Sequence, residues 1–154
     1  MNSMSRRQAT AVVLSGLIST PTLLGFSRPA AAAHRGTVFK TATCGCCAEW
    51  VEILNRAGIN LKVQDLDSLT NIKKMLRVPP ELRSCHTAVI GDYVVEGHVP
   101  VREIKRLLQE KPKAIGIAVP GMPIGSPGME QGDRKDSYKV VLFYKGGKRG
   151  FAEY

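Results

Sequence analysis

Apolar and polar positions along this chain follow two periods, and the switches between them mark the elements. Residues 37–40, Thr-Val-Phe-Lys, are short and β-rich and predict a first strand. Cys47, Trp50, Val51, Leu54 and Ala57 then recur at the spacing of one helical face, with Gly58 as a C-terminal stop. Residues 60–66 alternate apolar and polar, as a second strand does. Leu69, Ile72, Met75 and Leu76 mark a second helix, which Pro79-Pro80 ends, and their phase puts Met75 in the core. Residues 87–90 predict a third strand, Gly91-Asp92 a turn, and residues 93–95 a fourth strand. Val101, Ile104, Leu107 and Leu108 mark a third helix that stops before Pro112. Residues 113–137 read as loop, with four glycines and three prolines between Gly116 and Gly128. Residues 138–144 and a short return strand form a hairpin, with Gly146-Gly147 as its turn. The order β-α-β-α-β-β-α predicts an α/β fold with short crossovers, extended by a C-terminal loop and β-hairpin.

The first 33 residues do not belong to that pattern. Arg6 and Arg7 form a basic start, an apolar stretch runs from about residue 9 to 26, and residues 30–33 are all alanine. This is the layout of a secretory signal peptide, and Ser5-Arg6-Arg7 is similar to a twin-arginine export signal. Ser15, Gly16, Ser19, Thr20 and Pro21 break the apolar run, so no stable membrane span is expected. We therefore divide the chain into a signal peptide, 1–33, and one domain, 34–154, in a periplasmic or secreted bacterial protein. The formal net charge is +9. Lysines and arginines are scattered among acids, as Lys105-Arg106 lie between Glu103 and Glu110, so no nucleic-acid partner is expected. No carboxylate pair, phosphate loop or Ser-His-Asp set stands out to support hydrolysis or phosphoryl transfer.

The chemistry is concentrated in the cysteines. Cys44, Cys46 and Cys47 fall within four positions, at the junction of the first strand and the first helix. Cys44 and Cys47 make a C-x-x-C, and a helix N-terminus favours thiolate there. This placement is thioredoxin-like. In that fold the loop before the third strand approaches the C-x-x-C, which places Cys85 opposite the cluster. Thioredoxins carry a cis-proline in this loop, and Ser84-Cys85-His86-Thr87 has none. Adjacent Cys46 and Cys47 are cramped as chelators of one tetrahedral zinc with Cys44. Cu(I) is soft and favours thiolates, and bridging sulfurs suit a cluster. Three readings stay open: a copper site, a thiol–disulfide oxidoreductase using Cys44 and Cys47 without metal, and a domain stapled by two disulfides.

Met122 and Met129 lie in a glycine- and proline-rich loop, not on a helical face, and are candidate soft ligands. His86 follows Cys85 and is a candidate ligand. His98, just before Pro100, is expected on the surface. His34, at a new N-terminus, could offer Cu(II) an amine and an imidazole. Trp50 is expected in the core.

Together these motifs resemble the exported CopG-type copper-resistance family, a domain of unknown function. The resemblance covers about residues 36–154. It rests on Thr43-Cys-Gly-Cys-Cys47, Ser84-Cys-His-Thr87, Val95-Glu-Gly-His-Val-Pro100 and Gly121-Met-Pro-Ile-Gly-Ser-Pro-Gly-Met129. It implies a thioredoxin-like fold and copper held by Cys44, Cys46, Cys47 and Cys85. It further implies a role in copper tolerance, with Cu(I)/Cu(II) interconversion by a copper oxidoreductase and periplasmic copper-handling proteins as partners. Met122, Met129 and His86 are our extension beyond the family's thiols.

Overall fold

A computed structural model describes residues 34–154; the proposed leader lies outside the described residues. One seven-stranded mixed sheet runs through the domain in the order β2-β1-β3-β4-β5-β6-β7. Strand β1 (His34–Lys40) lies parallel to β2 (Ile59–Asp65) and antiparallel to β3 (Thr87–Ile90). Strand β4 (Tyr93–Glu96) pairs antiparallel with β3 and parallel with β5 (Gly116–Ala118). The hairpin β6 (Lys139–Tyr144) and β7 (Gly147–Glu153) completes the sheet through β5. The predicted order β-α-β-α-β-β-α is therefore present, with helices α1 (Gly45–Arg56), α2 (Thr70–Met75) and α3 (Val101–Glu110) as its crossovers.

Alternate strand residues point to opposite faces, and both faces of this sheet are covered. Trp50, Val51 and Leu54 of α1 join Ile104 and Leu107 of α3 in one cluster with Val38, Ala88, Ile90, Val95 and Ile117. Phe143, Val94 and Ala118 form a second cluster with Val78 and with Leu82 of a single 3-10 turn (Pro80–Leu82). Each fully buried leucine, isoleucine or phenylalanine contributes about 1.5–3 kcal/mol. The hairpin is strapped to α3: Arg106 Nη2 donates to the Phe151 carbonyl at 2.7 Å, and its guanidinium lies 3.7 Å from the Phe151 ring centre.

Three expectations need correction. Residues 113–137 are not all loop, because residues 116–118 form β5 and join the two parts of the sheet. The surrounding glycines and prolines hid this three-residue strand. The hairpin turn is Lys145-Gly146, since Gly147 already pairs with Tyr144, and Gly146 takes the positive φ of 90°. Met75 is 70% exposed, not core. α2 is short, and the side chain it buries is Lys73, held 2.5 Å from Glu96. Met75, two residues on, lies about 200° further round the helix. Trp50 is fully buried as expected.

Gly116 marks the joint between the two parts of the sheet. A Cβ there would sit 1.9 Å from the Val94 carbonyl oxygen. Gly116→Ala should therefore push β5 off β4 and cost at least the 1–3 kcal/mol typical of overpacking, read as a lowered urea midpoint. An unchanged midpoint would show that the β4–β5 joint contributes little to folding.

Candidate metal centre

The chain leaves β1 at Lys40 and turns through residues 41–43, with Cys44 N–H donating to the Thr41 carbonyl at 3.1 Å. Cys44 is the N-cap of α1 and makes no side-chain capping bond. The first turn of a helix presents N–H groups without intrahelical acceptors, and its dipole favours negative charge. No acidic residue in that turn takes up this preference. Cys47 is fully buried, while Cys46 is partly exposed.

Cys44 and Cys47 are joined as a disulfide, and Cys46 and Cys85 are free thiols. The two-disulfide reading is therefore not the arrangement observed. The Cys46 sulfur lies 3.6 Å from that of Cys44. Cys85 comes from the loop between the 3-10 turn and β3. All four sulfurs lie within 4.8 Å of one another. The local motif and the distant cysteine thus meet in one place. No cis peptide occurs among the described residues.

Cys85, His86 and His98 make a second group, also within 4.8 Å of one another. The expectation of a surface His98 is wrong, because its exposure is 0%. Its Nδ1 lies 2.8 Å from the Pro127 carbonyl, which can only accept, so Nδ1 carries the proton. That leaves the Nε2 lone pair aimed at the Cys85 sulfur, 3.0 Å away. His86 Nδ1 lies 3.4 Å from the same sulfur, and His86 Nε2 is buried with no hydrogen-bond partner. His86 also packs 4.4 Å from the Trp50 ring and 4.9 Å from that of His98. Strand pairing explains the placement: Thr87 opposes Glu96, so the residues before β3 lie beside those after β4. That antiparallel return was the signal in the sequence that could have found His98. His34 is exposed and belongs to neither group.

Burial dominates the electrostatics. It pushes the Cys85 thiol up to about 12, with the neighbouring Cys46 adding to the rise. Burial also holds His86 well below the usual imidazole range, and the charges of His98 and Lys73 act the same way. His98 is lowered by burial too, against its bond to Pro127. Both imidazoles are therefore neutral at pH 7 and keep a lone pair.

The methionine loop packs on α1 beside Cys46. Gly128, at φ +83°, packs so closely on α1 that a Cβ would lie 2.8 Å from the Cys46 carbonyl oxygen and 2.9 Å from the Trp50 nitrogen. Met122 and Met129 line a cleft of about 700 Å³ with Cys46, Glu49, Glu130 and Gln131. Met122 is 53% exposed.

Without reductant the unfolded protein should give two thiols with a thiol reagent, and four after reduction. The folded protein should alkylate slowly at Cys85: a thiol with a pKa near 12 is about one part in ten thousand thiolate at pH 8. Its rate should rise about tenfold per pH unit up to pH 11. Fast, pH-independent labelling of Cys85 would contradict the burial seen at this site.

Comparison with known proteins gives the same direction. The family model of DUF411, described as a protein of unknown function, matches residues 82–129. No curated protein matches. The solved structure named copper resistance protein copG, Form 2, aligns with a TM-score of 0.75 at 43% identity, covering 79% of this chain and 98% of that one. Form 1 aligns with a TM-score of 0.74 at 43% identity, covering 78% and 96%. On that identity and coverage, the chain belongs to the CopG copper-resistance protein family.

Proposed function

We propose that this is an exported copper-binding protein that holds Cu(I) on the thiolates of Cys44, Cys46, Cys47 and Cys85 and serves copper resistance or homeostasis. The observation that carries the reading is the convergence of four sulfurs within 4.8 Å, one of which, that of Cys46, belongs to a residue lining a cleft with Met122 and Met129. Thiolate and thioether are the donors that soft Cu(I) prefers. Two adjacent cysteines that crowd one tetrahedral ion can instead bridge several Cu(I) ions. The α1 N-terminus offsets part of the thiolate charge, and the bound cations offset the rest. On this reading the four-strand half of the sheet is a thioredoxin-like core, and residues 1–33 are the export signal.

The Cys44–Cys47 disulfide defines an oxidised state in which two donors are withdrawn. Reduction returns both thiols and completes the set. The pair can also supply electrons: two Cu(II) ions and the two thiols give two Cu(I) ions, one disulfide and two protons. That step would make the site a copper oxidoreductase as well as a holder. His86 and His98, neutral and beside Cys85, add nitrogen donors suited to the Cu(II) state. Ordinary thiol–disulfide exchange needs Cys44 and Cys47 alone. It leaves the convergence of Cys46, Cys85 and two buried histidines without a purpose.

The deciding experiment is an anaerobic Cu(I) titration of the reduced protein against a competing chelator, beside Cys46→Ser. More than one copper per chain, falling in Cys46→Ser, supports a thiolate-bridged cluster. No uptake beyond the chelator would sink the copper reading and leave the C-x-x-C as a redox pair. The oxidised protein should bind at least tenfold more weakly in the same titration. Met122→Leu combined with Met129→Leu should keep the stoichiometry while weakening Cu(I) several-fold; equal affinity would confine the ligands to the cysteines and histidines.

A further inference from the structure

Cys85 reaches the cluster from a loop, whereas its three companions share one turn. Loops are the most mobile parts of a fold, and a ligand set tolerates misplacement of only about 0.5 Å. The structure shows what restrains this loop. The Glu96 side chain, at the end of β4, is fully buried. Its Oε1 accepts from the Ser84 backbone N–H at 2.6 Å and from Lys73 Nζ at 2.5 Å. Its Oε2 accepts from the Thr87 hydroxyl at 2.6 Å. Lys73 Nζ also donates to Thr87 Oγ1 at 2.9 Å. One carboxylate therefore grips the residue before Cys85 and the residue after His86. Ser84 carries the restraint onward, because its hydroxyl donates to the Gly121 carbonyl at the start of the methionine loop.

We propose that Glu96 and Lys73 are positioning residues that fix the Cys85 thiol opposite the cysteines of α1. The proposal rests on the copper-holding reading above and adds two residues that touch no sulfur. Stability alone is a weak reason for such a pair. Buried ion pairs are often no better than apolar side chains of the same volume, and some are worse. A pair that also holds both flanks of a ligand loop has a geometric reason to be there. Partners that orient metal ligands typically change affinity by 10–100-fold when lost. Lys73 is the necessary companion, since it neutralises a carboxylate that no water reaches. This role also explains why a short surface helix turns a lysine inward while Met75 faces solvent.

The test compares wild-type protein with the paired variant Lys73→Met, Glu96→Leu and with the milder Thr87→Val. Three quantities are measured: the urea midpoint, Cu(I) affinity by chelator competition, and the alkylation rates of Cys85 and Cys46 in reduced, metal-free protein. The paired variant should still fold, with a lowered urea midpoint because the Ser84 N–H and the Thr87 hydroxyl lose their acceptor; it should bind Cu(I) 10–100-fold more weakly and alkylate Cys85 several-fold faster with Cys46 unchanged. Wild-type affinity and wild-type Cys85 reactivity in a folded variant would overturn the proposal. If the paired variant does not fold, Thr87→Val decides. It removes one of the carboxylate's donors, so it should weaken Cu(I) several-fold and quicken Cys85, and no change in either would overturn the proposal. If the wild type takes up no Cu(I), the copper reading fails by itself. The Cys85-to-Cys46 rate ratio then still tells whether the two residues hold the loop.

Discussion

The site depends on the register of β3 against β4, with Thr87 opposite Glu96. That pairing brings the segment entering β3 beside the segment leaving β4, and so puts Cys85 and His86 next to His98. Gly97 N–H donates to the His86 carbonyl at 3.0 Å and continues the ladder past the strand end. Gly97 sits at φ +72°, and a Cβ there would meet Ser84 and the Val119 carbonyl at 2.6 Å. A slip of one residue would reverse the faces of these side chains and separate Cys85 from the α1 turn. Trp50 locks the other side: its indole N–H donates to the Val99 carbonyl at 3.0 Å, tying α1 to the segment just after His98.

Two environments meet at the cluster, and they make opposite demands. The helix N-terminus on the α1 side favours thiolate. On the β3 side, burial favours the neutral thiol of Cys85 and neutral imidazoles. On the proposed copper-binding reading, a bound cation would reconcile the two by compensating the thiolate charge. Without it, the disulfide between Cys44 and Cys47 removes two potential charges from the same spot. The disulfide thus leaves only two free thiols, Cys46 and Cys85, to ionise within 4.8 Å of one another.

The C-terminal addition takes part in the site as well as in the fold. β5 joins the hairpin to β4, and the loop between β5 and β6 returns over α1. Gly128 allows that loop to touch the α1 backbone, and Pro127 supplies the carbonyl that sets the His98 tautomer. The methionines therefore come to the cleft mouth through the same contacts that order the histidine beneath it.

Much of this was legible in the sequence, because local patterns carry local information. Period 3.6 placed α1 and α3, period 2 and the turn residues placed the strands, and their order implied an α/β sheet with short crossovers. The C-x-C-C spacing announced a thiol site before any fold was known, and fold order brought Cys85 toward it. What the sequence by itself did not decide were the features that rest on contacts between distant residues. β5 is too short and too rich in glycine neighbours to show a period; pairing on both sides makes it a strand. Met75 left its expected place in the core because α2 turns Lys73 inward to pair with the buried Glu96 carboxylate. His98 passed for a surface residue because polarity alone says nothing about which carbonyl and which sulfur will enclose it. Those partners come from residues 127 and 85, and only the folded register of β3 on β4 brings them together.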